Sequence, residues 1–350
     1  MSACRQARRE RLLALLEDRG LGAALLRRPA NFAHYTNGAD NRVDRADPCG
    51  VAAVLVTPAG EWVVTDNIEA GRMRDEETPG MEVAEHLWYE APDELLRELT
   101  GGASLGSDLP AAGEADLSHD LARLRYVLDP DAIERYRQVG ADAAAALEES
   151  AAVLSPGTAE LEAAAELEAV LRRRGMNAPV LLAGGEERAA RYRHPVPRAG
   201  SKALLGGRAM LVACAERGGL YANATRIVDL REPGAEVRRM QSACDNILAR
   251  AREATRPGRA LSEVFAELVA AYREEGFPEG WKPHHQGGIT GYASREEVAT
   301  PHSELEVETG MAFAFNPSLS AKEGGAFAKA EETFLLMPEG PEIMTEEGGI

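Results

Sequence analysis

Two adjacent histidines beside a run of glycines form the segment of this chain that is least typical of a plain turn. The segment is Pro283-His-His-Gln-Gly-Gly-Ile-Thr-Gly-Tyr292. Histidine titrates near neutral pH and can transfer protons, and glycine lets a backbone approach a ligand closely. We therefore place His284, His285, Gln286 and Tyr292 in a predicted ligand-binding site. The alternative is a glycine turn whose histidines bond locally.

A third histidine lies on a loop that prolines stiffen. The loop sequence Arg191-Tyr-Arg-His-Pro-Val-Pro197 follows a predicted strand, Pro179 to Leu182, and a Gly184-Gly185 turn. Because the ordinary pKa of histidine lies near neutrality, His194 can act as a general base. A surface histidine without a function is the alternative.

Polar residues also follow two predicted strands near the C-terminus. Asn316 lies in the sequence Phe-Asn-Pro, and Glu331 and Glu332 lie in the sequence Ala-Lys-Ala-Glu-Glu-Thr. Paired acids at a strand edge are more often solvated than catalytic, so these carboxylates alone are weak evidence of a site.

The composition excludes several functional classes. The 350 residues include 57 acids and 39 bases, which give a formal net charge of −18, and 45% are hydrophobic. Because basic clusters are short, we expect no nucleic-acid or membrane partner. The four cysteines lack metal-ligand spacing, which excludes a zinc knuckle. With no signal peptide and no run of about 20 apolar residues, we expect a soluble cytoplasmic protein.

Two domains are expected to position these residues. Helix alternating with strand up to about Gly106 predicts an α/β domain over residues 1–125. Asp129 can cap a helix that begins at Pro130, and this helix opens a second domain over residues 129–350.

The second domain contains an internal repeat. Pro156-Gly157 leads through a predicted helix to Arg174-Gly-Met176, and Pro257-Gly258 leads through another to Glu275-Gly-Phe277 at the same separation. The ordered matches predict a duplicated α+β unit. Its halves would pack about a pseudo-two-fold axis, with a site between them.

These segments resemble the pita-bread family that includes methionine aminopeptidase, prolidase, X-Pro aminopeptidase and creatinase. The resemblance covers almost the whole chain, as a creatinase-type N-terminal domain followed by the duplicated pita-bread domain. In the family's metallopeptidases, two metals are held by two aspartates, one histidine and two glutamates. The corresponding segments here begin at Leu211, His285, Ala314 and Lys329.

Three of the five ligand positions that the resemblance implies hold residues of another type. Val212 and Asn223 stand where aspartates are expected, and Asn316 stands where the first glutamate is expected. Only His285 and Glu331 remain. A pair of hard divalent cations needs several anionic oxygens to offset its charge. We therefore expect no metal at these positions and no cofactor.

The resemblance to creatinase, which hydrolyses a C–N bond without a metal, implies a catalytic histidine. The creatinase general acid/base lies in a segment similar to the one around His194. We therefore expect a metal-independent hydrolase or lyase that acts on an amide, amidine or cyclic amidine of a small polar molecule. Glu331 would orient the substrate, with Glu332 as second choice. His284 and His285 would hydrogen-bond the reacting group.

Further side chains are predicted to bind the substrate. Arg226 or Arg193 would hold a carboxylate with two hydrogen bonds. Asn223 and Asn316 would keep the hydrogen-bonding shape of the missing acids without their charge. The backbone that follows Gln286 would line the pocket.

Two other functions stay open. One is a metal-dependent X-Pro aminopeptidase or prolidase-like peptidase that holds its metal through His285 and Glu331. The other is a catalytically inactive pita-bread binding protein. The resemblance also implies a homodimer, in which residues near Asn31, Tyr35 or Arg42 reach the pocket of the partner.

Overall fold

The computed structural model describes residues 2–321 and 325–346, and the chain divides into two units, Met1–Ala132 and Ile133–Ile350. The predicted domain ranges, 1–125 and 129–350, differ from these units by a few residues. The end of the second predicted range, residues 347–350, lies outside the described part.

A single six-stranded sheet organises the first unit. Its strands lie in the order β4-β3-β2-β1-β5-β6, with β2 antiparallel to both β1 and β3 and the other pairs parallel. This arrangement confirms the predicted α/β domain. The elements are α1 (Ala3–Arg19), β1 (Ala23–Leu26), α2 (Pro29–Thr36), β2 (Ala52–Val56), β3 (Glu61–Asp66), α3 (Ala70–Arg72) with a π-helical turn (Met73–Glu77), β4 (Glu82–His86), α4 (Asp93–Thr100), β5 (Leu105–Ser107), β6 (Ala115–Asp116) and α5 (Ser118–Arg123).

Helices cover both faces of this sheet, because successive side chains of a strand point to opposite sides. Leu26 of β1 belongs to the apolar cluster that contains Leu12 of α1. Its neighbour Leu25 belongs to the opposite cluster, with Leu96 of α4. The strands of the sheet are therefore apolar on both sides, as expected for a mixed sheet with helices on each face.

Residues near Asn31, Tyr35 or Arg42 were expected to reach a partner's pocket, and Asn31 and Tyr35 themselves are buried inside the first unit. Asn31 donates to the Asp108 carboxylate at 2.8 Å, and the Tyr35 hydroxyl donates to Glu61. Helix α2 turns both side chains into the core. Arg42 is partly exposed and binds Asp40.

In the described part of the second unit, the chain forms three sheets and five helices. The strand orders are β7-β8-β9, β11-β10-β12-β15-β16 and β13-β14. The elements are α6 (Pro130–Ala152), α7 (Glu160–Arg173), β7 (Asn177–Gly185), α8 (Glu186–Arg191), β8 (Arg208–Arg217), β9 (Leu220–Asp229), α9 (Ala235–Ala254), α10 (Leu261–Glu274), β10 (Gly287–Thr290), β11 (Glu297–Val298), β12 (Ala312–Phe315), β13 (Ser318–Ser320), β14 (Phe327–Lys329), β15 (Glu332–Met337) and β16 (Gly340–Ile343).

Helix α6 begins where the sequence predicted. The backbone N–H of Ala132 donates to the Asp129 carboxylate at 3.0 Å, and Pro130 is the first helical residue. Proline fits there because the first N–H of a helix has no intrahelical partner. Among the helices that the structure describes, none is long and apolar enough to cross a membrane.

The internal duplication is visible in two helices of equal length, α7 and α10. Each begins with the same capping hydrogen bond. The N–H of Ala159 donates to the Glu162 side chain at 3.1 Å, and the N–H of Ala260 donates to the Glu263 side chain at 3.1 Å. A carboxylate near a helix start satisfies one of the free N–H groups there. The two halves thus repeat at the level of single contacts.

Candidate active site

One cavity of about 490 Å³ collects four of the polar residues that the sequence singled out, His194, His285, Asn316 and Glu331. Strand β7 gives it an apolar wall at Val180–Leu182, and Val212 of β8 extends that wall. Its volume is typical of sites that bind small molecules. Its polar side is formed by His194, His285, Arg295, Asn316, Lys329 and Glu331.

The glycines of the histidine segment let β10 fit between two neighbouring strands. Gly287 has a φ of +93°, and a Cβ there would lie 2.0 Å from the carbonyl oxygen of Ala314. A Cβ on Gly288 would lie 2.1 Å from the carbonyl oxygen of Glu297. Only glycine tolerates both the conformation and the close approach. The glycines therefore fix the strand that directly follows the histidines.

Gln286 holds the histidine segment in place and does not line the cavity. Its Oε1 accepts a hydrogen bond from the Tyr272 hydroxyl at 2.8 Å. Its Nε2 donates to the carbonyl oxygens of Trp281 and His284 at 2.9 and 2.7 Å. The side chain is fully buried. We therefore correct its predicted role from substrate binding to positioning.

Three histidines from two distant segments meet at the cavity. Nε2 of His284 lies 3.0 Å from Nε2 of His194, and the rings of His284 and His285 stack with centroids 4.4 Å apart. One ring nitrogen of each histidine lies within 4.8 Å of the others. The loop after α8 and the segment before β10 thus converge, as the sequence predicted.

The electrostatic surroundings keep these imidazoles neutral. Burial, followed by the charge of Lys329, lowers the pKa of His284 to about 3. Burial and the charges of Arg295 and Lys329 lower the pKa of His285 to about 4. Partial desolvation and then the charge of Lys329 lower the pKa of His194. At neutral pH each ring therefore keeps one nitrogen lone pair.

Glu331 is a buried carboxylate with a cation on each oxygen. Arg295 Nη2 lies 2.8 Å from Oε1, and Lys329 Nζ lies 3.0 Å from Oε2. The Thr225 hydroxyl also donates to Oε2 at 2.7 Å. Burial alone would raise the pKa of Glu331, but the two cations and the hydroxyl lower it to about 2. Glu331 therefore stays charged throughout the neutral range.

Sequence reasoning gave neither of these cations a role. Lys329 offered a signal, because it precedes Glu331 by two residues on extended backbone and so lies on the same side. Arg295 offered none, since it is 36 residues from Glu331 and only the tertiary fold brings them together. With two cations and one acid, the polar side of the cavity has a net positive charge.

Asn316 and Asn223 lie at the site with their amide oxygens unused. Asn316 lines the cavity. Asn223 is paired across the sheet with Cys214, which also lines it, and its Nδ2 donates to the Thr290 hydroxyl at 2.8 Å. Both Oδ1 atoms are buried and accept no hydrogen bond from the residues that the structure describes. The Asn316 oxygen can accept one from a bound molecule, because Asn316 lines the cavity. Asn223 is fully buried and lies outside the lining, which corrects its predicted contact with the substrate.

Two predicted substrate-binding residues face a different cavity. Arg226 follows Thr225 along β9, and Glu332 follows Glu331, so their side chains point away from the histidines. Arg226 binds a glutamate of α6, and Glu332 binds Arg252. Both line a second cavity of about 460 Å³. This placement removes Arg226 as a carboxylate clamp and Glu332 as the second choice for substrate orientation.

Tyr292 and Arg193 also lie outside the lining of the histidine cavity. The Tyr292 ring is buried, and its hydroxyl accepts a hydrogen bond from Arg135 at 2.9 Å. Arg193 is partly buried, and burial lowers its pKa. Tyr292 therefore contacts Arg135 and not a substrate, and Arg193 is not part of the cavity lining.

The residues at the five implied ligand positions do not fit a pair of divalent metals. The structure brings the positions together, since Val212, His285, Asn316 and Glu331 line one cavity and Asn223 lies directly behind it. An isopropyl group and two amides replace three carboxylates, and cations already hold both oxygens of the remaining glutamate. The anionic oxygens that hard cations require are missing.

Solved structures of similar fold cover nearly the whole chain. The Xaa-Pro dipeptidase from Bacillus anthracis is 19% identical, with 98% of each chain covered and a TM-score of 0.80. The prolidase from Pyrococcus horikoshii OT3 is 18% identical, with 97% of this chain and 98% of that chain covered and a TM-score of 0.81. The X-Pro aminopeptidase from Thermotoga maritima MSB8 is 19% identical, with 97% of each chain covered and a TM-score of 0.78. At these identities the likeness concerns the fold.

Models of two protein families match the two units. The creatinase/prolidase N-terminal domain matches residues 8–127, and metallopeptidase family M24 matches residues 134–338. A search of curated proteins finds no match. Because the second family model covers more than half of the sequence, the chain belongs to metallopeptidase family M24, a family of hydrolases with the creatinase–prolidase fold.

Proposed function

We propose that this protein is a metal-independent hydrolase or lyase that breaks a C–N bond in a small molecule carrying a carboxylate. His194 is its general acid/base. The observation that carries the proposal is a neutral histidine on the wall of a small cavity whose fixed charges are net positive. Membership of a hydrolase family supports hydrolysis as the reaction type.

The hydrogen bond between two histidines supports the role of His194. When His194 donates its Nε2 proton to Nε2 of His284, Nδ1 of His194 carries the free lone pair. That nitrogen can take a proton from water as the water adds to the carbon of the C–N bond. The resulting imidazolium still donates to His284, which its low pKa keeps neutral, and then protonates the leaving nitrogen. General acid/base catalysis of this kind contributes about 10²–10⁴-fold.

The charges support an anionic substrate. Glu331 neutralises only one of the two cations that contact it, so Glu331, Lys329 and Arg295 together have a net charge of +1. Nε of Arg295 is buried and donates to none of the described residues. A carboxylate fits these donors. The Asn316 oxygen can accept an N–H from the other end of the substrate, and the Val180–Leu182 wall suits an aliphatic part.

The peptidase alternative depends on a metal held by His285 and Glu331. Lys329 and Arg295 occupy the Glu331 oxygens that such a metal would use. Displacing them would leave two cations beside a dication. The contacts in the cavity therefore favour the metal-independent reaction over the peptidase.

The proposal is tested by substrate screening followed by substitution. Chelator-treated protein is assayed for amine or ammonia release against N-acyl amino acids, amidino acids and cyclic amidines that carry a carboxylate. With the best substrate, His194→Ala should reduce kcat by about 10²–10⁴-fold. The exposed His302 provides a matched control, and His302→Ala should keep the parent rate.

Two results would overturn the proposal. Turnover by His194→Ala at the parent rate removes His194 from the reaction. Turnover that disappears on chelation and returns with a stoichiometric metal restores the peptidase alternative. Absence of turnover on every class in the panel favours the non-catalytic binding protein.

A further inference from the structure

The three histidines are arranged as ligands for a single ion. Their ring nitrogens lie within 4.8 Å of one another, and the Nε2 atoms of His194 and His284 are 3.0 Å apart. Two imidazole nitrogens on one tetrahedral Zn²⁺ at about 2.0–2.1 Å lie slightly more than 3 Å apart. Small movements therefore suffice to place an ion between the rings.

The present contacts of these rings are few and weak, so an ion displaces little. Nδ1 of His285 accepts a long hydrogen bond of 3.3 Å from the N–H of Gly287. His285 loses this bond whichever of its nitrogens binds an ion. Nδ1 of His284 is buried and has no hydrogen-bond partner among the described residues. Coordination thus replaces one long hydrogen bond and the contact between His194 and His284.

The kind of ion follows from the charges that face the cluster. Lys329 and Arg295 lie on the same cavity and repel cations, and Glu331 offsets only one of them. No carboxylate joins the cluster among the described residues. Hard ions such as Mg²⁺ and Mn²⁺, which depend on anionic oxygens, are therefore excluded. Zn²⁺ and Co²⁺ bind neutral imidazole well enough to overcome this repulsion.

We propose that His194, His284 and His285 bind one late first-row transition ion such as Zn²⁺, and that this ion inhibits the enzyme. The site is distinct in ligands from the five positions of the family's metal pair, since it shares only His285 with them. The inhibitory effect rests on the proposed function, because an ion bound to Nε2 of His194 keeps the ring proton on Nδ1, the nitrogen with which His194 would accept a proton. The binding itself does not rest on it.

Binding is tested with chelator-treated protein and Co²⁺, whose visible absorption reports tetrahedral or five-coordinate imidazole ligation. One equivalent of Co²⁺ should bind, Zn²⁺ should displace it, and excess Mg²⁺ should not. His194 is exposed on a loop, so His194→Ala should fold normally and weaken Co²⁺ binding by at least about 100-fold, since even groups that only orient a ligand contribute about 10–100-fold. His302→Ala should bind like the parent protein.

The outcomes separate this inference from the proposed function. A spectrum that stays that of aqueous Co²⁺, or equal binding by His194→Ala and the parent, overturns the metal site, whatever the enzyme activity. If Zn²⁺ inhibits turnover, and half-inhibition occurs at the Zn²⁺ concentration that gives half-saturation of the site, the inhibitory role is supported. Activation by Zn²⁺ overturns it. If no substrate in the panel is turned over, the proposed function is overturned, but the Co²⁺ binding result still stands.

Discussion

At the residue scale, the buried charge of Glu331 depends on its two cations. Replacing it with Gln leaves Lys329 and Arg295 close together without a counterion. Breaking a buried ion pair on one side costs about 3–5 kcal/mol, so Glu331→Gln should lower the free energy of unfolding in urea by this amount. Glu187→Gln removes an exposed partner of Arg191 and should change it by less than about 0.5 kcal/mol. Equal effects of the two substitutions would contradict the ion-pair explanation.

Residue types and spacing located much of the site but not its charge. The unusual types at His194, His285 and Asn316 predicted where the cavity would be. They could not predict that Arg295 binds Glu331, because side-chain pairing across 36 residues depends on the tertiary fold. The sequence alone therefore did not show that the charges in the cavity are net positive, which is the feature that supports the proposed anionic substrate.

At the scale of elements, strand β10 positions the histidines through two glycines. Gly287→Ala places a methyl group against the Ala314 carbonyl oxygen and forces alanine into a positive φ. It should destabilise the protein by more than about 1 kcal/mol and reduce turnover by displacing His285. The measurement is urea unfolding together with kcat. Gly157→Ala, where a Cβ meets nothing within 4 Å, should leave both quantities nearly unchanged. Loss of stability in both variants alike would argue against the strand-fitting role.

Local signals predicted elements better than they predicted which way side chains face. The Asp129 cap and the equal lengths of helices α7 and α10 could be predicted, because both depend on contacts between residues close in sequence. Gln286 was placed in the cavity because it adjoins two histidines, yet Tyr272, on α10, draws it into the core. A contact with an element distant in sequence, and not the adjacent histidines, thus determines where the Gln286 side chain lies.

At the scale of the whole molecule, net charge and site charge have opposite signs. The chain carries −18 overall, but acids are absent at three of the five positions where the family's metallopeptidases hold metal. Lys329 and Arg295 outnumber Glu331 in the cavity. The net charge of −18 therefore describes the exterior of the protein, and the fixed charges that line the cavity have the opposite sign. Homodimerisation stays a prediction of the family resemblance.

Three titratable groups of the site, His284, His285 and Glu331, make the stability of the whole molecule depend on pH. The pKa of His284 is about 3 and that of His285 about 4 in the folded protein, against an ordinary value of 6.5. The unfolded chain therefore binds more protons than the folded protein below about pH 6.5, so the free energy of unfolding falls as pH decreases. Below about pH 4.5, Glu331 adds to this loss, because its folded pKa is lowered to about 2.

Urea unfolding at pH 7, 6 and 5 measures this dependence above the range of Glu331. The parent protein should lose stability steadily over these values. His284→Asn, which removes one of the two depressed histidines, should lose less between pH 7 and pH 5, because one fewer proton is gained on unfolding. His302→Ala should show the slope of the parent. An unchanged slope in His284→Asn would mean that the His284 imidazole binds protons equally in the folded and unfolded states, in conflict with its burial beside Lys329.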